Sequence, residues 1–504
     1  MSSRHTVALG GRLTCGDVEQ IACRRAPAEL TAAARGAVQR CHRFLCQLAA
    51  SDAAVYGLTT GCGPLASHRI DAATRAAFQR NLIRSHAVTL GPPHPTRFVR
   101  AAMAARAQVL ALGYSGVEPE CVELLLGMLN AGVHPIVREI GGVGASGDLV
   151  ELAQIALAAI GEGEVEHEGR VVPAAEALRA ARLTPLAPRY REGLALMNGT
   201  SFHTGVAAVL IIGARRVAAA AQVAAAMLFE ALEGHREALD AALQATRAHA
   251  GQGAVAERLA ALTRGSELLR TDASAAGQQD PYTLRCIAQV IGPSLAAIDG
   301  TMVTVEIELN AVSDNPLFLA DEGRVVHGGN FHGQPVASAL DQLKTALIEI
   351  GVMAERRIAR VLDTALSGGL PPFLIRGTAG LHSGFMGLQY CATTLAAENR
   401  QLAAPASVAS IPTNANNQDV VSMGMLAARH AARVLDNLRR IVAIELLCAA
   451  QALELRGLER AGTGTRAAHA LVREHAPSLL EDRALTADVD AVVAAIEVGG
   501  FDAL

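Results

Sequence analysis

Tryptophan is absent from this 504-residue chain, and aromatic residues of all kinds make up only 3% of it. So few π-faces exclude a base-stacking platform for nucleic acid. A formal net charge of -4 offers no basic surface to a phosphate backbone. Paired cysteines are also missing. Cys15, Cys23, Cys41, Cys46, Cys62, Cys121, Cys286, Cys391 and Cys448 are scattered, and none forms C-x-x-C. An odd number in a long chain fits reduced thiols of a cytoplasmic protein better than a disulfide framework, and no spacing supports a zinc site. The opening "MSSRHTVALGGRLTCGDVEQ" lacks the apolar run of a signal peptide. The most apolar segment, "GVAAVLIIGARRVAAAAQVAAAML", is cut by Arg215 and Arg216. A membrane span wants about 20 uninterrupted apolar residues, so this reads as a buried helix. The expectation is a cytoplasmic protein with neither a membrane nor a nucleic-acid partner, and no metal.

Apolar residues supply 51% of the chain and charged residues 18%, ample for a large core. The patterning is helical. From Pro335 to Leu362, Val336, Leu340, Leu343, Leu347, Ile350, Ala354, Ile358 and Val361 recur at spacings of three and four, which is one helix face. Val420 to Leu455 is apolar on most sides and reads as a helix buried among others. Its cover is expected to come partly from other copies of the chain. Thr96 to Leu112 reads as a third helix, with Thr96 as N-cap and Gly113 as the stop. Strand patterns are few: "GRVVPA" and "NPLFLADEGRVVHGG" suggest short hairpins. No internal repeat and no low-complexity linker is present, and the chain from about Gly462 onward is more polar and peripheral. The expected fold is mainly α: a long-helix bundle over residues 201–504, with a smaller mixed N-terminal region over residues 1–200.

One short stretch does not fit a simple bundle. Gly142-Val143-Gly144-Ala145-Ser146-Gly147 matches G-x-G-x-x-G, the outline of a dinucleotide fingerprint. That fingerprint needs a buried strand before it and a βαβ unit around it. The preceding apolar run, Ile136-Val137, is two residues long and flanked by Pro135 and Arg138-Glu139, a poor central strand. Another chemistry accounts for the glycines better. In a compressed turn the Gly147 nitrogen can reach the Ala145 carbonyl carbon, because glycine has no side chain to obstruct it. Ring closure and dehydration of Ser146 would leave a methylidene-imidazolone (MIO), an electrophile made from the chain itself. Asp148 follows, either to orient groups during dehydration or to start the next helix.

At these residues the chain resembles the aromatic amino-acid ammonia-lyase family: histidine, phenylalanine and tyrosine ammonia-lyases and the related aminomutases. "VGASGDL" is similar to the family's prosthetic-group motif. "YGLTTGCGPLA", "GLALMNGTS", "QDPYTLRC", "NAVSDNPL", "GGNFH" and "NQDVVSM" match further blocks, in the family's order, and the resemblance covers roughly Tyr56 to Gly457. The resemblance implies MIO formed from Ala145, Ser146 and Gly147 with no external cofactor. It implies Tyr56 as the base that takes the β-proton, and Tyr282 and Arg285 at the substrate carboxylate, where a planar guanidinium can bond both oxygens. Asn198 and Gln279 are implied near the prosthetic group and substrate, and Phe331 beside it. A phenol titrates near 10 in water, so Tyr56 needs a lowered pKa or a partner. The resemblance also implies a homotetramer whose active sites are shared between chains.

Two places bear on the substrate. Histidine ammonia-lyases carry Q-E-D-H near the last block, with the glutamate facing the imidazole; here Gln418 stands at the glutamate's position. The N-Q-D form is similar to phenylalanine and tyrosine enzymes and to aminomutases. His86 lies where tyrosine and histidine enzymes carry histidine, and could bond a phenol; the Ala87 that follows is more like the histidine enzymes. The reading is a lyase of tyrosine or phenylalanine, with an aminomutase or a histidine ammonia-lyase as alternatives. A non-catalytic helical homologue is the bland competitor. Three departures stand out: Cys62 for the usual phenylalanine, Glu151 for the usual proline, and Gln154 for the common histidine.

Overall fold

The computed structural model describes residues 6–271 and 279–504. It is mainly helical, with a few short strands. Seven of its helices frame the candidate site or build the core: α1 (Arg75–His86), α2 (Thr96–Ala111), α3 (Leu149–Ala159), α4 (Ser201–Ala231), α5 (Ile287–Leu309), α6 (Gln334–Leu362) and α7 (Gly424–Arg456). The last two fall within a few residues of the ranges read from periodicity. The segment around Arg215 and Arg216 is the buried helix expected of it: most of α4 is inaccessible to solvent.

The chain divides into two compact units. One takes in Met1–Ile212, Thr301–Asp341 and Pro405–Arg429; the other Gly213–Gly300, Gln342–Ala404 and His430–Leu504. All strands among the described residues belong to the first unit. Both expected hairpins are there. Glu164–His167 pairs with Arg170–Pro173, turning at Glu168 and Gly169, both with positive φ (49° and 73°), as a two-residue hairpin turn requires. Leu317–Leu319 pairs with Arg324–Val326. The strand Arg138–Ile140, which leads to the glycine-rich stretch, pairs antiparallel with Leu90–Pro93, just after α1. No βαβ unit surrounds the glycines among the described residues, so the dinucleotide outline has no sheet to serve it.

In this first unit α2 is buried along nearly its whole length. Arg100, buried on it, donates to the carbonyls of Ile21 and Leu129. Thr96 is not the N-cap. Pro95 holds that place, and the Thr96 hydroxyl donates instead to Glu166 Oε2 at 2.6 Å. Thr96 is already the first residue inside the helix, whereas a cap must precede it.

In the second unit the C-terminal part of α7 is the core. Ile441 to Leu453 is buried at almost every position. Two buried polar residues there have partners: Glu445 Oε1 accepts from Arg357, and the Gln451 amide donates to the carbonyls of Leu374 and Leu479. This corrects one expectation. The helix finds its cover within its own chain and supplies no reason for an oligomer. Large apolar residues are exposed elsewhere: Val303 and Ile307 on α5, and Val408, Ile411 and Val420 on the segment before α7.

Candidate active site

The glycine-rich stretch forms a tight loop ahead of α3. Gly144 and Gly147 pair as an isolated antiparallel bridge, so Ala145 and Ser146 make its two-residue tip. Gly144, Ser146 and Gly147 all have positive φ (74°, 56° and 70°). Such a backbone costs a non-glycine residue about 1 kcal/mol or more, and here it falls on Ser146. At Gly147 the reason for glycine is contact as well as conformation: a Cβ would lie 1.8 Å from the Gly199 carbonyl oxygen.

The tip is fastened from two sides. Gly199 N–H donates to Ser146 O at 3.1 Å, and Asp148 N–H donates to Gly199 O at 2.8 Å. Opposite, Met423 N–H donates to Val143 O at 2.9 Å, and the Ser422 hydroxyl to Gly144 O at 3.1 Å. Asp148 sits at the N-cap position of α3, but its side chain serves α4. Oδ2 accepts from the N–H groups of Phe202 and His203, and Oδ1 pairs with His203 Nδ1 at 2.7 Å. Burial alone would lower the His203 pKa; the Asp148 charge and hydrogen bond outweigh it, and the net shift is upward.

A cavity of about 550 Å³ opens over Ser146 within the first unit. Tyr56, His86, Asn198 and Gln418 line it, together with Cys62, Phe78, Asn81, Leu82, Met197 and Asn414. No carboxylate is among its lining residues. The Gln418 amide donates to Ser146 Oγ at 3.1 Å, while its oxygen accepts from the Thr413 hydroxyl at 2.8 Å. Asn198 is held from behind: its amide nitrogen donates to Asp314 Oδ1 at 2.9 Å and to Asn315 O at 3.2 Å. Asp314 is bonded by both terminal nitrogens of Arg191 at 2.8 Å, in full burial. The donor of Asn198 is therefore spent, and its oxygen is what it can offer. His86 Nδ1 lies 2.9 Å from Leu82 O. A carbonyl only accepts, so in the neutral imidazole the proton belongs on Nδ1 and Nε2 is left to accept.

Tyr56 has the partner the sequence called for, without the lowered pKa. Gly63 N–H donates to Tyr56 Oη at 2.7 Å. Burial nevertheless raises the phenol, the neighbouring Cys62 raises it further, and the Gly63 bond only partly offsets them. Burial also pushes the Cys62 thiol up to about 11, so it is uncharged at neutral pH.

Not every expected residue meets here. Phe331 is half-buried and does not line the cavity, though Gly333, two residues on, donates to Gly144 O at 3.5 Å. Gln279, Tyr282 and Arg285 belong to the second unit. Gln279 is exposed, Tyr282 is 70% exposed, and the Arg285 guanidinium lies 5.0 Å from the Tyr282 ring centre. Sequence reasoning missed Asn81 and Asn414. Asn414 opens a run of three left-handed residues with Ala415 and Asn416 (φ 53°, 52° and 60°). The asparagine-rich "TNANN" was the available signal, since asparagine tolerates that conformation.

A model of aromatic amino acid lyases matches residues 13–474. The chain belongs to that family. It is an ammonia-lyase of the kind that uses MIO. A histidine ammonia-lyase of Symbiobacterium thermophilum is 46% identical over 98% of this chain and 97% of its own. Among solved structures, the tyrosine aminomutase of Streptomyces globisporus is 39% identical, covers 99% of this chain and 98% of its own, and has a TM-score of 0.94. The histidine ammonia-lyase of Trypanosoma cruzi is 36% identical over 99% of this chain and 94% of its own, with a TM-score of 0.91. The family's autocatalytic group has a fitting place in this lyase: a left-handed tip, a glycine at 147 that nothing larger could replace, and backbone clamps on both sides.

Proposed function

We propose that this lyase eliminates ammonia from an L-amino acid with an uncharged aryl ring, tyrosine or phenylalanine, and releases the trans-arylacrylate. One observation carries the ring assignment: Gln418 faces Ser146, and no carboxylate lines the cavity to pair with a charged imidazole. His86 favours tyrosine within that pair, because its Nε2 is the acceptor a phenol hydroxyl needs.

Ala145, Ser146 and Gly147 are proposed to mature into MIO, which when formed supplies the electrophile that makes the substrate amine a better leaving group. Tyr56 then takes the β-proton. Its raised pKa keeps it a phenol in the empty site, and the substrate's ammonium is the opposite charge that favours the phenolate, with Gly63 N–H already bonded to the oxygen. The Asn198 oxygen is available to accept from that ammonium. Tyr282 and Arg285 are assigned to the substrate carboxylate, and Gln279 to the same end of the substrate. In a homotetramer with shared sites they are contributed by a different copy from the one that supplies Ser146. The exposed apolar residues of α5 and of the segment before α7 supply surface for that assembly.

A second reading is favoured by the relatives. Their names back histidine as substrate better than tyrosine or phenylalanine, and the aminomutase name backs retention of the ammonia. One assay separates the three. Purified enzyme is given histidine, tyrosine and phenylalanine in turn, and the acid product and free ammonia are followed together. Coumarate or cinnamate with equal ammonia is expected. Urocanate alone moves the assignment to histidine, and a β-amino acid ahead of free ammonia moves it to an aminomutase.

A further inference from the structure

We propose that Glu151 is a positioning residue for maturation of the Ala145-Ser146-Gly147 tip, holding through Gly142 the arm of chain that leads into it. The proposal rests on the reading that this tip becomes MIO. Glu151 occupies the third position of α3, and a helical side chain leans toward the helix N-terminus, which here means toward the loop. Its Oε1 accepts from Gly142 N–H at 2.6 Å. The contact is close enough to fix the residue opposite: a Cβ on Gly142 would lie 2.4 and 2.6 Å from the two carboxyl oxygens. Gly141, the residue before, passes equally close to the first turn of α3, with room for no Cβ beside Val150.

Glu151 is fully buried, no cation forms an ion pair with it among the described residues, and Oε2 has no hydrogen-bond partner among them. Burial, and then the neighbouring Asp148 charge, push its carboxyl up to about 8, against the pull of the Gly142 bond and of His203. At neutral pH it is therefore a carboxylic acid whose Oε1 accepts from Gly142. A glutamine would offer the same geometry without a proton to lose.

The placement matters because ring closure is a matter of approach. The Gly147 nitrogen must bond the Ala145 carbonyl carbon. That oxygen leaves as water with the amide hydrogens of Ser146 and Gly147. The Ser146 Cα hydrogen and hydroxyl leave as the second water. Held geometry is what makes such an intramolecular attack fast. After the tip, Asp148 and Gly199 hold the chain; before it, Val143 and Gly144 are held by Met423 and Ser422. Gly142 extends that grip one residue upstream, and its only fastening in the loop is the Glu151 carboxyl. Without it the half-buried Gly142 N–H loses its side-chain acceptor, and the arm is free to recoil.

The full-length chain is made by cell-free synthesis, and intact mass is followed over time for the loss of two waters. Glu151→Gln is expected to mature at the wild-type rate. Glu151→Ala is expected to mature at least about fivefold more slowly, with its far-ultraviolet circular dichroism unchanged. If Glu151→Ala fails to fold, Glu151→Asp is the test, since its shorter carboxyl withdraws from Gly142; it should lag Glu151→Gln. Equal rates for all variants overturn the proposal, as does a Glu151→Gln that lags as Glu151→Ala does. A wild-type chain that never loses two waters overturns instead the reading of the tip as MIO.

Discussion

The Ala145-Ser146-Gly147 tip and the stretch from Gln279 to Cys286 stand at opposite extremes of confinement. The tip is bonded on both flanks, sits against Gly199 where no side chain fits, and opens only onto a cavity lined from its own unit. In the other stretch Gln279 is exposed and Tyr282 is 70% exposed, and the Arg285 guanidinium lies by the Tyr282 ring with its Nε bonded only to the nearby Asp280 carbonyl. Under the proposed function, the difference separates two kinds of functional residue. The first must be held still while covalent bonds are remade, so its constraints are local and complete. The second has only to meet a carboxylate, and chemistry of that kind can be displayed on a surface and delivered to a site elsewhere.

Substitutions can break that contrast. Ser146→Ala should abolish both the two-water mass deficit and turnover, by roughly 1,000-fold or more; an active Ser146→Ala enzyme would sink the covalent role. Arg285→Gln should lower kcat/KM by about 100-fold while changing stability by no more than about 0.5 kcal/mol, because nothing packed depends on it. Refolding Ser146→Ala and Arg285→Gln chains together should restore activity, since random assembly leaves about a quarter of shared sites with both residues intact. No recovery, from mixtures shown by light scattering to be tetrameric, would mean that each chain completes its own site. His86→Phe should shift preference from tyrosine toward phenylalanine by about 10- to 100-fold, read as the ratio of kcat/KM values. An unchanged ratio removes His86 from the ring pocket.

The smallest effect falls on stability and sharpens the picture of the confined end. The folded-state pKa of Glu151 is raised from 4.5 to about 8. The folded chain therefore holds that proton more tightly than the unfolded chain does. Stability from this group is full below pH 4.5 and is lost as pH rises to about 8. Glu151→Gln should remove that slope and leave the variant more stable above pH 8 by roughly 2 kcal/mol. Denaturant titrations of both proteins at several pH values would show it, and parallel slopes would contradict it.

Much of this was legible in the residues. The faces of α6 and α7 show in their three-and-four spacing, because burial of one stripe writes itself into the sequence. The two hairpins show in their turn residues. The four glycines between Gly141 and Gly147 show that a backbone is crowded, though not by what: that Gly199 and Glu151 do the crowding depends on contacts across tens of residues. Thr96 misled because a hydroxyl at the start of a helix looks like a cap, whereas the helix begins one residue earlier than that reading needs, with Pro95 at the cap. The reason given for an oligomer misled as well. Apolar residues all round α7 record only that the helix is buried, and Ile441 to Leu453 are buried by their own chain. Asn414 was overlooked because a left-handed run is a property of backbone angles, and its composition is only a hint.

The carbonyl and amide of Gly199, which grip Ser146 and Asp148, belong to the turn just before α4, and α4 is itself started by the Asp148 side chain. Loop and helix thus require each other. A nascent or misfolded chain has neither grip and is simply an unreactive peptide. Under the proposed maturation of the tip, only a folded copy arms itself, and a strong electrophile is not displayed on a chain that chaperones, proteases or stray cellular thiols would meet first.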